Sequence, residues 1–264
     1  MKFARVGDLT IHYADEGPRA RDAVVFVNSL GSDLRIWDDV APAIAERHRV
    51  IRYDTRGHGL SSAGPGEARM DDFVADLEGL LDALAVERVT LIGLSIGGMI
   101  AQLFHVSHPA RLASLVLCCT AHRIGTAESW AARIETVRAG GIAAVADVTM
   151  ERWFTANFRA SRTAELEGAR NMLTRTPLAG YIAGCAALRD ADLTEAAKAI
   201  AVPTTCVAGR EDGSTPVDLV RALAELVPGA AFQVIDQAAH IPCVEQPQAM
   251  VRLLEQHLQE AGHG

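Results

Sequence analysis

Short apolar runs rich in β-branched residues recur along the chain, and between most of them apolar positions repeat at helical spacing. The runs at 3–6, 9–13, 23–27, 50–53, 89–93, 112–118, 204–208 and 231–235 read as strands. Gly7-Asp8, between the first two, is a two-residue hairpin signal. Helical spacing fills 36–45, 70–84, 96–107 and 216–226, and Pro247 opens a last helix. In the second of these, Phe73, Leu77, Leu80, Leu81 and Leu84 share one face, and Asp71 and Asp72 occupy the first turn, where the helix dipole favours anions. Thr215 reads as the N-cap of the helix that Pro216 begins. Strands that are nearly all apolar and alternate with helices predict an α/β architecture: a mostly parallel sheet of about eight strands, covered on both faces, behind an antiparallel opening hairpin.

The alternation breaks once. From 122 to 196 the text is helical, with candidate helices at 127–139, 142–154, 163–174 and 177–188 and no convincing strand, after which the sheet resumes. An all-helical insertion at 122–196 predicts a lid that shapes substrate choice, over a core made of 1–121 and 197–264.

Candidate chemistry lies where strands end. Val89 to Gly98 is an apolar run that breaks on glycines around Ser95 and continues as a helix, the pattern of a nucleophile elbow. Residues two before and two after the serine face each other across such a turn, and Gly93 and Gly97 meet that demand. Downstream, Asp212 follows the run at 204–208 and His240 follows the run at 231–235, both in polar loops. The order Ser, Asp, His is that of α/β-hydrolases, with sites at strand C-termini. Ser95 is then the nucleophile, His240 its base, and Asp212 the group that orients the imidazole. Glu211 reads as a surface neighbour, and the remaining histidines, His263 among them, lack His240's placement after a late strand. Backbone N–H groups of Ile96 and of Leu30, in the Asn28-Ser29-Leu30-Gly31 loop, are the expected oxyanion donors. Asp54, Arg56 and His58 read as parts of a hydrogen-bonded turn.

Composition narrows the partners. Thirty-three acidic against twenty-five basic residues give a net charge of −8, which disfavours nucleic acid and anionic membranes. The start of the chain lacks a signal peptide's apolar core and no run is long enough to span a membrane, so a cytoplasmic location is expected. Five cysteines, odd in number and without metal-ligand spacing, read as buried thiols, and no metal or organic cofactor is expected. Oligomeric state is left open.

Four segments together resemble the 3-oxoadipate enol-lactonase family of the β-ketoadipate pathway. They are Asn28-Ser29-Leu30-Gly31, the stretch from Tyr53 to Gly59, the elbow from Gly93 to Gln102, and the lid segment from Tyr181 to Leu193. Many relatives carry His-Gly where this chain has Asn28-Ser29, and Pro242 replaces a commoner small residue. The resemblance implies hydrolysis of a small anionic lactone, a five-membered ring with an acetate arm, without cofactor. A local cation or donor set must then hold the arm. Arg123, Arg133 and Arg189 all lie in the lid, and Arg189 is the choice because it falls in the segment most particular to the family. Trp130 and Trp153, and Trp37 after the oxyanion loop, are candidate pocket walls. Other readings on the same scaffold are another carboxylesterase, a C–C bond hydrolase, a cofactor-free haloperoxidase, or a lactone receptor that does not turn over. Haloalkane dehalogenation is disfavoured because the elbow holds serine instead of aspartate.

Overall fold

The computed structural model describes residues 1–262. The last two positions of the expected core, His263 and Gly264, lie outside the described residues. Among those described, one sheet holds eight strands: β1 (Lys2–Val6), β2 (Leu9–Glu16), β3 (Asp22–Val27), β4 (Val50–Tyr53), β5 (Arg88–Leu94), β6 (Leu112–Cys118), β7 (Thr204–Gly209) and β8 (Ala231–Ile235). Their spatial order is β1-β2-β4-β3-β5-β6-β7-β8. The β1–β2 and β2–β4 pairs are antiparallel and the rest are parallel. Val6 pairs with Leu9 across Gly7-Asp8, with Gly7 at φ 54°, so the opening hairpin forms as its sequence predicts.

The helices are α1 (Ala41–Ala45), α2 (Met70–Ala83), α3 (Ile96–Ser107), α4 (Ala127–Gly140), α5 (Ala146–Trp153), α6 (Ala156–Ser161), α7 (Thr163–Thr174), α8 (Leu178–Asp190), α9 (Thr194–Lys198), α10 (Val217–Leu226), α11 (Pro242–Glu245) and α12 (Pro247–Glu260). None is long and apolar enough to cross a membrane. α2 buries Phe73, Leu77, Leu80 and Leu81, each contributing roughly 1.5–3 kcal/mol by leaving water. Its first turn is closed by Arg69 N–H donating to Asp72 at 2.7 Å. The strands β4, β6 and β7 are buried along their whole length, as parallel strands covered on both faces must be.

Three local expectations need correction. The helix expected at 36–45 is instead a 3₁₀ turn, Leu34–Trp37, capped by Asp33, followed by the separate α1. Pro42 explains the break, since it lacks an N–H and can only begin a helix. The text at 142–154 likewise opens as a 3₁₀ turn, Ile142–Val145, before α5. Thr215 does not cap α10: Pro216 takes the N-cap position, and the threonine hydroxyl is donated to Asp212 at 2.6 Å. The short helices α6 and α9 were not expected, although Thr155 accepts from Phe158 N–H at 3.1 Å as an ordinary N-cap of α6.

Helices α4 to α9 lie between β6 and β7 in the chain. Their contact with the strand-bearing part is close in places. Gly57, at φ 68°, and Gly180 of α8 approach so nearly that a Cβ on either would strike the other's backbone.

Candidate active site

Ser95 joins β5 to α3 with φ 58° and ψ −118°, a conformation that L-residues hold only under constraint. The constraint is visible. Ser95 N–H donates to the Cys118 carbonyl at 3.0 Å, Gly98 N–H donates to the Ser95 carbonyl at 2.9 Å, and the Thr120 hydroxyl donates to that same carbonyl at 2.6 Å. A Cβ on Gly93 would collide with the backbone of Gly97, and one on Gly97 with the backbone of Val27. The glycine spacing read from the sequence thus has its steric cause in the turn.

Asp212 and His240 stand in the loops after β7 and β8. His240 Nδ1 lies 2.8 Å from Asp212 Oδ2, with both side chains almost fully buried. The carboxylate also accepts from Ser214 N–H at 2.7 Å, Thr215 N–H at 3.0 Å and the Thr215 hydroxyl at 2.6 Å. Burial pushes this carboxyl up, but the imidazole and the Thr215 donors outweigh it and hold it below the ordinary 3.8. A carboxylate so placed keeps Nδ1 protonated, which leaves Nε2 as the basic nitrogen.

Ser95, His240, Leu30 and Ser214 line one cavity of about 460 Å³, roofed by α4, α5 and α8. That volume lies within the usual range for small-molecule sites. Among the described residues, neither the Leu30 N–H nor the Ile96 N–H has a hydrogen-bond acceptor. Such free amides are the kind of donor a developing oxyanion needs. The Leu30 loop is tied down by Asn28, which donates to the Tyr53 carbonyl at 2.7 Å and accepts from the Trp37 indole at 3.0 Å. Trp37 is fully buried in that role and does not reach the cavity, unlike the pocket wall it is expected to form.

In the roof the expected residues divide. Trp130 and Trp153 do line the cavity. Arg189 does not: Asp190 holds its guanidinium through two bonds of 2.8 Å, and Glu67 takes a third at 3.0 Å. Two other arginines line the cavity instead, Arg133 of α4 and Arg152 of α5, and among the described residues neither pairs with a carboxylate. Arg133 donates through Nε to Tyr181 Oη at 2.8 Å and through Nη2 to Thr149 Oγ1 at 2.7 Å. These contacts fix the guanidinium and leave three of its five N–H donors uncommitted. Tyr181 is held protonated, its phenol pushed up to about 12 by burial. Arg152 was not singled out by the sequence. It lies one position before Trp153, and only the fold shows which side of α5 meets the cavity.

Cys119, Asp212 and His240 bring possible ligand atoms within 4.8 Å of one another. Burial raises the Cys119 thiol well above its ordinary value, so it is not a thiolate, and the other two atoms already share a hydrogen bond. The trio suits an acid–base pair backed by a packing thiol better than a metal site. Like Cys119, the other four cysteines are free and buried. A larger cavity, about 600 Å³, lies elsewhere, lined by His12, Asp54 and Arg175 among others. His12 and Asp54 touch at 2.8 Å, but Asp54 is committed to the Leu34 and Leu60 amides and no serine or cysteine faces the space. Arg56 is clamped by Asp76 at 2.6 and 2.8 Å, and His58 Nδ1 lies 3.0 Å from the Arg56 carbonyl, in keeping with a structural turn.

Comparison with known proteins agrees with this geometry. The chain is 35% identical over 248 residues to 3-oxoadipate enol-lactonase 2 of Acinetobacter baylyi, covering 94% of this chain and 92% of that one. It is 33% identical to enol-lactonase 1 of the same organism over 92% and 91% of the two chains. The enol-lactonase structure from Burkholderia xenovorans LB400 superposes with a TM-score of 0.95 at 34% identity, over 98% of this chain and all of that one. The family model for the alpha/beta hydrolase fold matches residues 22–247. With a serine on a strained strand-to-helix turn and an imidazole–carboxylate pair beyond the later strands, this chain belongs to the α/β-hydrolase family.

Proposed function

We propose that the protein hydrolyses 3-oxoadipate enol-lactone to 3-oxoadipate, the reaction that gives its Acinetobacter relatives their name, as a step in aromatic breakdown by the β-ketoadipate route. The observation that carries this reading is one cavity with Ser95 and His240 in its floor and, in its roof, the guanidinium of Arg133, which pairs with no carboxylate among the described residues and keeps three N–H donors to spare. A lactone with an acetate arm needs both halves. A charge-assisted contact to the arm contributes about 1.5–3 kcal/mol.

In the proposed route His240 Nε2 takes the Ser95 hydroxyl proton as Oγ bonds to the lactone carbonyl carbon. The Leu30 and Ile96 amides hold the resulting oxyanion, and losing one such donor costs about 2.7–4 kcal/mol. Collapse breaks the ring C–O bond, and the departing enol oxygen takes the proton back from His240. Because an enolate leaves more readily than an alkoxide, this step is undemanding. Water then gives a proton to His240 as its oxygen bonds to the acyl carbon; collapse breaks the C–Oγ bond, Ser95 Oγ takes the proton back from His240, and the new carboxylic acid ionises to carboxylate. Tautomerisation of the enol to the ketone makes reversal unfavourable.

In the same reading, residues 122–196 form a cap distinct from the core of 1–121 and 197–264, with Arg133, Arg152, Trp130 and Trp153 as its contribution to substrate choice. The five free, buried thiols suit a reducing, cytoplasmic setting. The test is kcat/KM of the purified protein on the enol-lactone beside a neutral aryl ester. A preference of roughly 10- to 100-fold for the lactone is expected from the arm alone. Equal rates on the two would point to a general carboxylesterase, and a single slow turnover to a receptor.

A further inference from the structure

The loop that carries His240 is fastened on both sides to one short stretch of the helical roof. After it, Ile241 N–H donates to the Trp153 carbonyl at 3.3 Å. Before it, Ala239 N–H donates to Glu245 Oε2 at 2.6 Å. The other oxygen of that carboxylate, Oε1, accepts from both Thr155 N–H at 2.9 Å and the Thr155 hydroxyl at 2.8 Å. Thr155 is the N-cap of α6 and stands two residues after Trp153, which lines the cavity. Glu245 is buried, and among the described residues no lysine, arginine or histidine pairs with it. Burial pushes the Glu245 carboxyl above its ordinary 4.5 against the pull of its Ala239 and Thr155 donors, and keeping a carboxylate on three neutral donors alone is a costly way to stabilise a fold. Its geometry does something a neutral side chain cannot, since two oxygens without protons accept on both sides at once.

We infer that Glu245 is a positioning residue, a clasp that sets the His240 loop against the 153–155 stretch of the roof, so that the seating of the roof is passed to the imidazole. This rests on the assignment of His240 as the base. Glutamine at 245 retains one carbonyl oxygen, and its amide would meet either Ala239 N–H or the Thr155 donors with a donor of its own. Valine at 155 removes the hydroxyl from the roof side and leaves Ala239 bonded. Serine at 155 keeps the clasp whole.

The experiment measures kcat and KM on the enol-lactone, and the proton resonance of the His240 Nδ1–H bonded to Asp212, for wild type, Glu245→Gln, Thr155→Val and Thr155→Ser. Misplacing a catalytic group by about 1 Å costs up to about a hundredfold. The expected result is a kcat lowered about 10- to 100-fold in Glu245→Gln and by less in Thr155→Val, with KM little changed. The His240 resonance moves in both, and Thr155→Ser resembles wild type. If Glu245→Gln does not fold, Thr155→Val carries the test alone. An unmoved resonance in the folded variants, or wild-type kcat, would overturn the clasp. Ser95→Ala separates the two failures: turnover by that variant removes the hydrolase reading, whereas an inactive Ser95→Ala beside an unaffected Thr155→Val removes only the clasp.

Discussion

The floor and the roof of the cavity are built by different means. The proposed reactive groups of the floor sit in loops after parallel strands, mostly anchored to main-chain groups: Ser95 to the Cys118 carbonyl, Asp212 to the amides of Ser214 and Thr215, Asn28 to the Tyr53 carbonyl, with His240 held instead by Asp212. The roof has no such ladder. Its polar centre is assembled from side chains on three helices, Arg133 on α4, Thr149 on α5 and Tyr181 on α8, within hydrogen-bonding reach of one another. Groups anchored to backbone suit chemistry, which slows about a hundredfold when atoms move by about 1 Å. Side-chain clusters suit selectivity, because a single substitution changes what is recognised and leaves the reacting atoms where they are.

Substitutions can break this contrast. Ser95→Ala is expected to abolish lactone hydrolysis with the circular dichroism and thermal melt of the wild type, and wild-type turnover would remove Ser95 from the chemistry. Asp212→Asn is expected to lower kcat by on the order of 10⁴, as loss of the correct imidazole tautomer does elsewhere. A kcat within tenfold of wild type would mean another group orients His240. In the roof, Arg133→Met is expected to raise KM for the lactone about 10- to 100-fold and to leave a neutral aryl ester nearly unaffected. Equal effects on both substrates would place the carboxylate arm elsewhere.

Two smaller effects sharpen the picture. The folded Asp212 carboxyl lies below its ordinary 3.8, so its stabilising contribution is complete above that value and is lost as pH falls toward and through the depressed one. Urea unfolding between pH 2 and 7, at roughly unit steps, should therefore show a steeper acid loss for wild type than for Asp212→Asn. Parallel curves would mean the carboxylate gains nothing from its partners. Arg189→Ala is expected to change kcat/KM by no more than about twofold, because its carboxylate pairs are partly exposed and such pairs contribute about 0–1 kcal/mol to stability alone. A large rise in KM would return Arg189 to the site.

The two arginines also mark where sequence reading stops. Arg189 stood out because its neighbours resemble a family segment, yet the side chain projects to Glu67 and Asp190. Arg133 lies on a helix with weak amphipathic patterning, and its value comes from Tyr181, 48 positions away. Thr215 misled for a related reason. It has the right residue type before a proline for an N-cap, but a buried carboxylate three positions earlier competes for the hydroxyl. Glu245 carries no assigned role in the sequence, since its partners lie 6 and 90 positions away in the chain.

By itself the sequence determined the strands, the order of the sheet-end loops, and the serine elbow, because each depends on a local pattern within a few residues: continuous apolar runs, a hairpin turn, two glycines that must pass backbone. It also placed Asp212 and His240 after Ser95 in the order from which the triad is proposed. Tertiary structure alone decided which arginine faces the cavity, which threonine braces Asp212, and how the roof is joined to His240. Those outcomes rest on distances between helices and loops far apart in the chain, where residue type is the same for a side chain that points inward and one that points to water.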